Sequence, residues 1–118
     1  MARLEAVAFN PTTWSEPATA TNGAATATKA GVTGFSHYVT HITISASAAP
    51  LAAVQAQLKD GTTAIDKFEI PASAFSPIPV NYVRAFKITA GADTVLTLPA
   101  LGAGVVGTVT LKGFSLKE

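Results

Sequence analysis

The stretch HYVTHITISASA, residues 37–48, constrains this chain more than any other. Val39, Thr40, Ile42, Thr43 and Ile44 are β-branched, and their restricted χ1 favours an extended backbone over a helix. The side chains then alternate. Tyr38, Thr40, Ile42, Ile44, Ala46 and Ala48 are expected on one face, and His37, Val39, His41, Thr43, Ser45 and Ser47 on the other. One mainly apolar face and one more polar face describe a strand in a sheet with a single covered side. Ala49-Pro50 ends it.

The rest of the chain carries the same signal. AVQAQLK points Val54, Ala56 and Leu58 one way and Gln55, Gln57 and Lys59 the other. Asp60-Gly61 follows, a dipeptide suited to a type I′ hairpin turn. The return strand TTAIDKFEI puts Phe68 and Ile70 opposite to Lys67 and Glu69, and its phase breaks at Ile65-Asp66, where a bulge is expected. Pro71, Pro77 and Pro79 bound a crossing that cannot donate ladder hydrogen bonds. VNYVRAFKI, 80–88, reads as a strand with Val80, Tyr82, Arg84, Phe86 and Ile88 on one face. Gly91 and Asp93 mark a turn, TVLTL (94–98) a short strand, and VVGTVTLKGFSL (105–116) the last one. Before the central strand, RLEAVAF (3–9) reads as a short strand, NPTTWSEPATATNG (10–23) as a proline-punctuated loop or arm, and ATATKAG (25–31) as an edge strand of small residues. The expectation is an all-β fold: one domain over 1–118, an antiparallel β-sandwich of about eight strands, jelly-roll-like.

Charge narrows the functional classes. Eight Lys and Arg balance seven Asp and Glu, and no basic patch is legible, so no nucleic-acid partner is expected. Charged residues make up 13% of the chain, against roughly 25% in soluble domains generally. None occurs between Lys29 and Lys59. A surface so poor in charge favours coverage by another protein. There is no cysteine, hence no disulfide or thiolate metal site. No stretch has the length and apolarity of a signal peptide or a membrane span, and no membrane partner is expected.

GAGVVG, Gly102 to Gly107, matches the glycine pattern of dinucleotide sites. That motif works only where a strand ends and a helix begins with its amides on the pyrophosphate. TVTLKGFSL follows instead, without helical period, so the glycines are expected to form a turn into the closing strand. Residues 105–114 should be extended, Val109 and Leu111 should continue the Val105 face, and Gly107 should allow a neighbour to come close. His37 and His41 are four apart, which on a strand means about 13 Å, too far for one metal. A metal would need ligands from other strands or symmetry copies, and no cofactor is expected. Asp66 and Glu69 fall on opposite faces of one strand and do not suit paired-carboxylate chemistry. GFSHY lacks the closing glycine of a nucleophile elbow, and Ser36 and His37, as strand neighbours, point apart. No calcium loop or P-loop pattern occurs, so no enzymatic activity is expected. Trp14, with Phe9 before it, has two readings: an anchor for a partner, or a cap on its own sandwich.

ATATKAGVTGFSHYVTHITISASAAPLAAVQAQLKDGTTAI, followed by the proline-bounded crossing and the closing GVVGTVTLKGF, resembles small structural proteins of tailed-bacteriophage virions. The shared texture is a small-residue strand, H-x-V-T, a SAAP corner, a K-D-G-T hairpin and a final G-x-V-x-L-x-G strand, over roughly 24–114. The resemblance implies a non-enzymatic decoration, cement or head-fibre type protein. It would be trimeric, bound to the major capsid protein or another virion protein, and found in a virion assembled in the host cytoplasm. Phe9, Trp14, His37 and His41 are then the candidate interface residues. The alternative is a carbohydrate- or receptor-binding sandwich using Trp14, Tyr38 and Tyr82.

Overall fold

The computed structural model describes residues 12–118. They form eight strands: β1 (Thr12–Thr21), β2 (Ala25–Lys29), β3 (Phe35–Ala46), β4 (Val54–Asp60), β5 (Thr63–Ile70), β6 (Ile78–Lys87), β7 (Thr94–Leu98) and β8 (Val106–Lys117). One sheet has the order β1-β8-β3-β6 and the other β2-β7-β4-β5, with every pairing antiparallel. Consecutive strands change sheet at each connection except β4–β5. This is the double Greek key of a jelly roll, and the expected fold class holds. The one hairpin among the described strands falls where Asp60-Gly61 announces it. Its two-residue loop is Gly61-Thr62, and Gly61 has φ +63° while Thr62 stays negative. That is the pattern of a type II′ turn rather than the expected I′.

The core lies between the sheets. Val39, Ile42, Ile44, Val109 and Leu111 face Ala56, Leu58, Leu96 and Leu98, all buried. Each large aliphatic side chain so placed contributes about 1.5–3 kcal/mol. Ala25 and Ala27 are buried on β2, which explains an edge strand of small residues: methyl groups are what the space at that sheet margin accepts. Ile65 has no partner in the β4–β5 ladder, so the bulge stands where the phase breaks. Thr94 is fully buried and its hydroxyl has no hydrogen-bond partner among the described residues. Thr94→Val keeps the shape and removes that unpaired group. It is expected to raise stability by about 1 kcal/mol, read as an upward shift of the thermal midpoint.

Three further expectations are corrected. Residues 12–21 are not an arm but β1, an edge strand paired with β8 from Thr12↔Ser115 to Thr21↔Val106. Pro17 sits within it, which an edge strand tolerates because one side of its backbone needs no ladder bond. The expected strand 3–9 lies outside the described residues. In β3 the alternation is not continuous. Thr40 has no partner in either neighbouring strand, since Val39↔Gly113 is followed directly by His41↔Lys112. This bulge reverses the phase: His37 and Val39 point into the sandwich with Ile42 and Ile44, and Tyr38 and His41 point outward. In β6, Val39↔Phe86 is followed by His41↔Asn81, so residues 82–85 bow out opposite one residue of β3. Arg84 therefore rides exposed on a bow instead of sharing a face with Val80.

Carboxylates tie the loops at one end. Asp60 accepts bonds from the Thr89 backbone N–H and hydroxyl at 3.1 and 2.7 Å, and Asp93 accepts one from the Gly31 N–H at 2.7 Å. At the other end lies GAGVVG. Gly102 and Gly104 have φ +124° and +78°, a turn conformation suited to glycine. No helix follows; β8 does. A methyl on Gly107 would stand 2.8 Å from Leu98 Cδ2, so this glycine lets the second sheet approach. Val105, Val109 and Leu111 share the buried face.

Candidate functional site

Three places on the described surface combine residues with chemistry. In the first, β1, β3 and β8 bring Trp14, His37 and Ser115 together. The Trp14 indole N–H donates to Ser115 Oγ at 3.0 Å, and Ser115 Oγ lies 2.6 Å from His37 Nδ1. His37 Nε2 lies 2.8 Å from the Ala30 carbonyl, which can only accept. The arrangement is consistent as a one-way chain: Nε2–H donates to Ala30, and Nδ1 accepts from the Ser115 hydroxyl. The Trp14 ring meets the His37 ring edge-on, with centroids 5.6 Å apart at 72°. His37 is 2% exposed with both ring nitrogens occupied. Trp14, half-buried and bonded inward, thus closes the margin of its own sandwich. This is the structural one of its two sequence readings.

His41 does not join His37. The Thr40 bulge sends it to the outer face of the β1-β8-β3-β6 sheet. There His41, Thr43, Asn81, Thr110 and Lys112 line a hollow of about 270 Å³. The His41 Nδ1 lies 2.9 Å from Thr40 Oγ1, whose hydroxyl donates to the Lys112 carbonyl at 3.3 Å. With the Thr40 hydrogen used there, its oxygen accepts from Nδ1–H, and Nε2 keeps a lone pair for a ligand. Beside this row Tyr38 and Phe114 stack, centroids 5.0 Å apart and 8° from parallel. Among the described residues, no three His, Asp or Glu side chains cluster closely enough to hold a metal ion. Phe9 lies outside the described residues.

The third place is the β6 bow. Val83 is fully exposed at its tip, with Arg84 exposed beside it and Phe86 at 37% exposure. Val83 and Phe114 are not among the sequence candidates, and Tyr38 is one only in the carbohydrate- or receptor-binding alternative, because the β3 bulge and the β6 bow leave no break in the residue pattern. Tyr82 anchors the bow: its hydroxyl donates to Asp66 Oδ2 at 2.8 Å, joining the β6 edge to the β5 edge of the other sheet. Asp66 faces this bond while Glu69 bonds Gln55 across the outer face, so the two carboxylates do point apart. Burial, then the Asp66 hydrogen bond, then the Asp66 charge push the Tyr82 phenol well above the ordinary tyrosine range. The folded state therefore holds this proton more tightly than the unfolded chain. The stabilisation is full below about pH 10 and declines as pH rises toward the folded value. Tyr82→Phe is expected to cost about 1 kcal/mol at neutral pH, with a gap in melting temperature that narrows in alkali.

No family model matches the chain, and no curated protein matches it. Among solved structures, the carbohydrate-binding module CBM36 in complex with calcium and xylotriose is similar at a TM-score of 0.39 and 10% identity, covering 94% of this chain and 96% of that one.

Proposed function

We propose that this chain is a non-enzymatic virion structural protein, a decoration or cement protein that attaches to a capsid by protein–protein contacts. The observation that carries the reading is the β6 bow. A fully exposed valine on an edge strand, with Phe86 beside it and the segment pinned by Tyr82–Asp66, is a preformed apolar projection. Folding gains nothing from exposing Val83, whereas a partner surface gains its burial. The long charge-free segment between Lys29 and Lys59 supports the same reading, because few charges need desolvation when it is covered. The partner is the major capsid protein or another virion protein, and the protein acts as a trimer.

Light scattering tests the assembly part of this reading. The expected result is a species of three times the chain mass; a strict monomer at every accessible concentration argues against it.

A further inference from the structure

We infer that the outer face of the β1-β8-β3-β6 sheet binds an acidic oligosaccharide, one uronate unit of which seats in the hollow between His41, Asn81 and Lys112. The inference stands apart from the particle reading, which rests on the opposite property of the adjoining β6 segment: apolarity at the bow that follows Asn81.

The chemistry of the lining selects a sugar. A sugar ring offers hydroxyls that donate and accept at once, so its site needs both kinds of partner within one small space. This hollow supplies them: the Asn81 amide gives both, Thr43 and Thr110 give hydroxyls, Lys112 donates, and His41 Nε2 accepts. Its volume of about 270 Å³ is close to the lower end of small-ligand sites, about 300 Å³, and so suits a single ring rather than a large cofactor. The His41 ring is held by Thr40, so part of the site is ordered before binding. The Tyr38–Phe114 stack stands on the same face, one row further along β3 and β8, where Tyr38↔Phe114 precedes His41↔Lys112. An apolar pair next to a polar row matches a sugar chain, whose rings carry C–H faces between their hydroxyls.

The charge selects the acid. No carboxylate lines the hollow. Glu16, the acidic residue of β1, opposes Leu111 and so lies on the other side of the sheet from Lys112. The ion pair present among the described residues, Lys87–Glu118, sits in the Tyr38 row, where Lys87 pairs with Tyr38, and leaves Lys112 outside it. Lys112 thus stands in the hollow with no fixed anion, and a carboxylate on the sugar complements it, while His41 Nε2 accepts from a sugar hydroxyl.

The experiment follows backbone amide shifts of the ¹⁵N-labelled full chain during titration with trigalacturonate at low salt. The expected result is saturable shifts at His41, Thr43, Asn81, Thr110 and Lys112 with a Kd of about 1 mM or tighter. A neutral trisaccharide, xylotriose, should bind at least about ten-fold more weakly. Lys112→Gln should weaken trigalacturonate about ten-fold, and Lys59→Gln, on the outer face of the other sheet, should leave it unchanged. Absence of shifts at these amides up to roughly 10 mM overturns the inference. So does equal binding of xylotriose, or inorganic sulfate producing the same shifts at the same concentration. None of these outcomes bears on trimer formation or capsid attachment.

Discussion

Gly113→Ala is expected to be among the most damaging substitutions at the described residues, lowering stability by about 3 kcal/mol or more. Gly113 lies in β8, the strand that pairs with both β1 and β3. A Cβ built there falls well under 3.0 Å from the Tyr38 carbonyl oxygen and 2.8 Å from Trp14 Cζ2. Neither obstacle yields easily. The carbonyl belongs to the strand beside the Thr40 bulge, and the indole is tied to Ser115. The same bulge that turns His37 inward presses the backbone of β3 onto β8, so only a residue without Cβ fits opposite Val39. The check is thermal or denaturant unfolding followed by the fluorescence of Trp14, the chain's single tryptophan. A loss on the order of 3 kcal/mol corresponds to a midpoint drop of roughly 10 °C in a domain of this size. A midpoint within about 2 °C of the parent would mean that β3 and β8 are not so closely apposed.

His37→Ala is expected to have a comparable effect by a different route. His37 is buried with both ring nitrogens occupied, and the Thr40 bulge is what lets it face inward together with Ile42 and Ile44. Truncation leaves the Ala30 carbonyl without its partner, breaks the chain Trp14–Ser115–His37–Ala30 at its centre and opens a cavity beside the Trp14 ring. Several kcal/mol of packing and hydrogen bonding are lost together, enough to unfold a domain of marginal stability. Thr40→Val is the control. It keeps the bulge and loses only the hydroxyl's bonds to His41 and the Lys112 carbonyl, at a cost of about 1 kcal/mol. A His37→Ala variant no less stable than that control would show that the buried chain does not hold the sheet margin together.

These two results bear on how much of the fold is legible in the residues. The β4–β5 hairpin, the bulge at Ile65 and the glycine turn into β8 can be read directly, because each needs a residue type that the sequence displays. The Thr40 bulge cannot. His37, Tyr38, Val39 and Thr40 all suit either face, so the alternation continues on paper through the point where it reverses in space. β1 is hidden for another reason. Trp14, Glu16, Ala18 and Ala20 do alternate toward the half-buried side, but the prolines and small polar residues around them have the composition of a loop. Only its place at a sheet edge makes Pro17 acceptable. The site suffers from the first of these effects. His37 and His41 look equivalent in sequence, yet one is a buried hydrogen-bonding link and the other faces a ligand-sized hollow. Val83 carries no signal at all, since its exposure comes from the register between β6 and β3 rather than from residue type.

The most direct test of the functional reading is sedimentation of tailed-phage virions on a density gradient after mixing with the full chain or its Val83→Asp variant. Val83 is fully exposed, so the variant is expected to melt like the parent, and any difference reports on contact rather than folding. The account predicts that the parent chain bands with the particles and that Val83→Asp remains at the top of the gradient. A parent chain that stays at the top, or a variant that bands equally well, contradicts it.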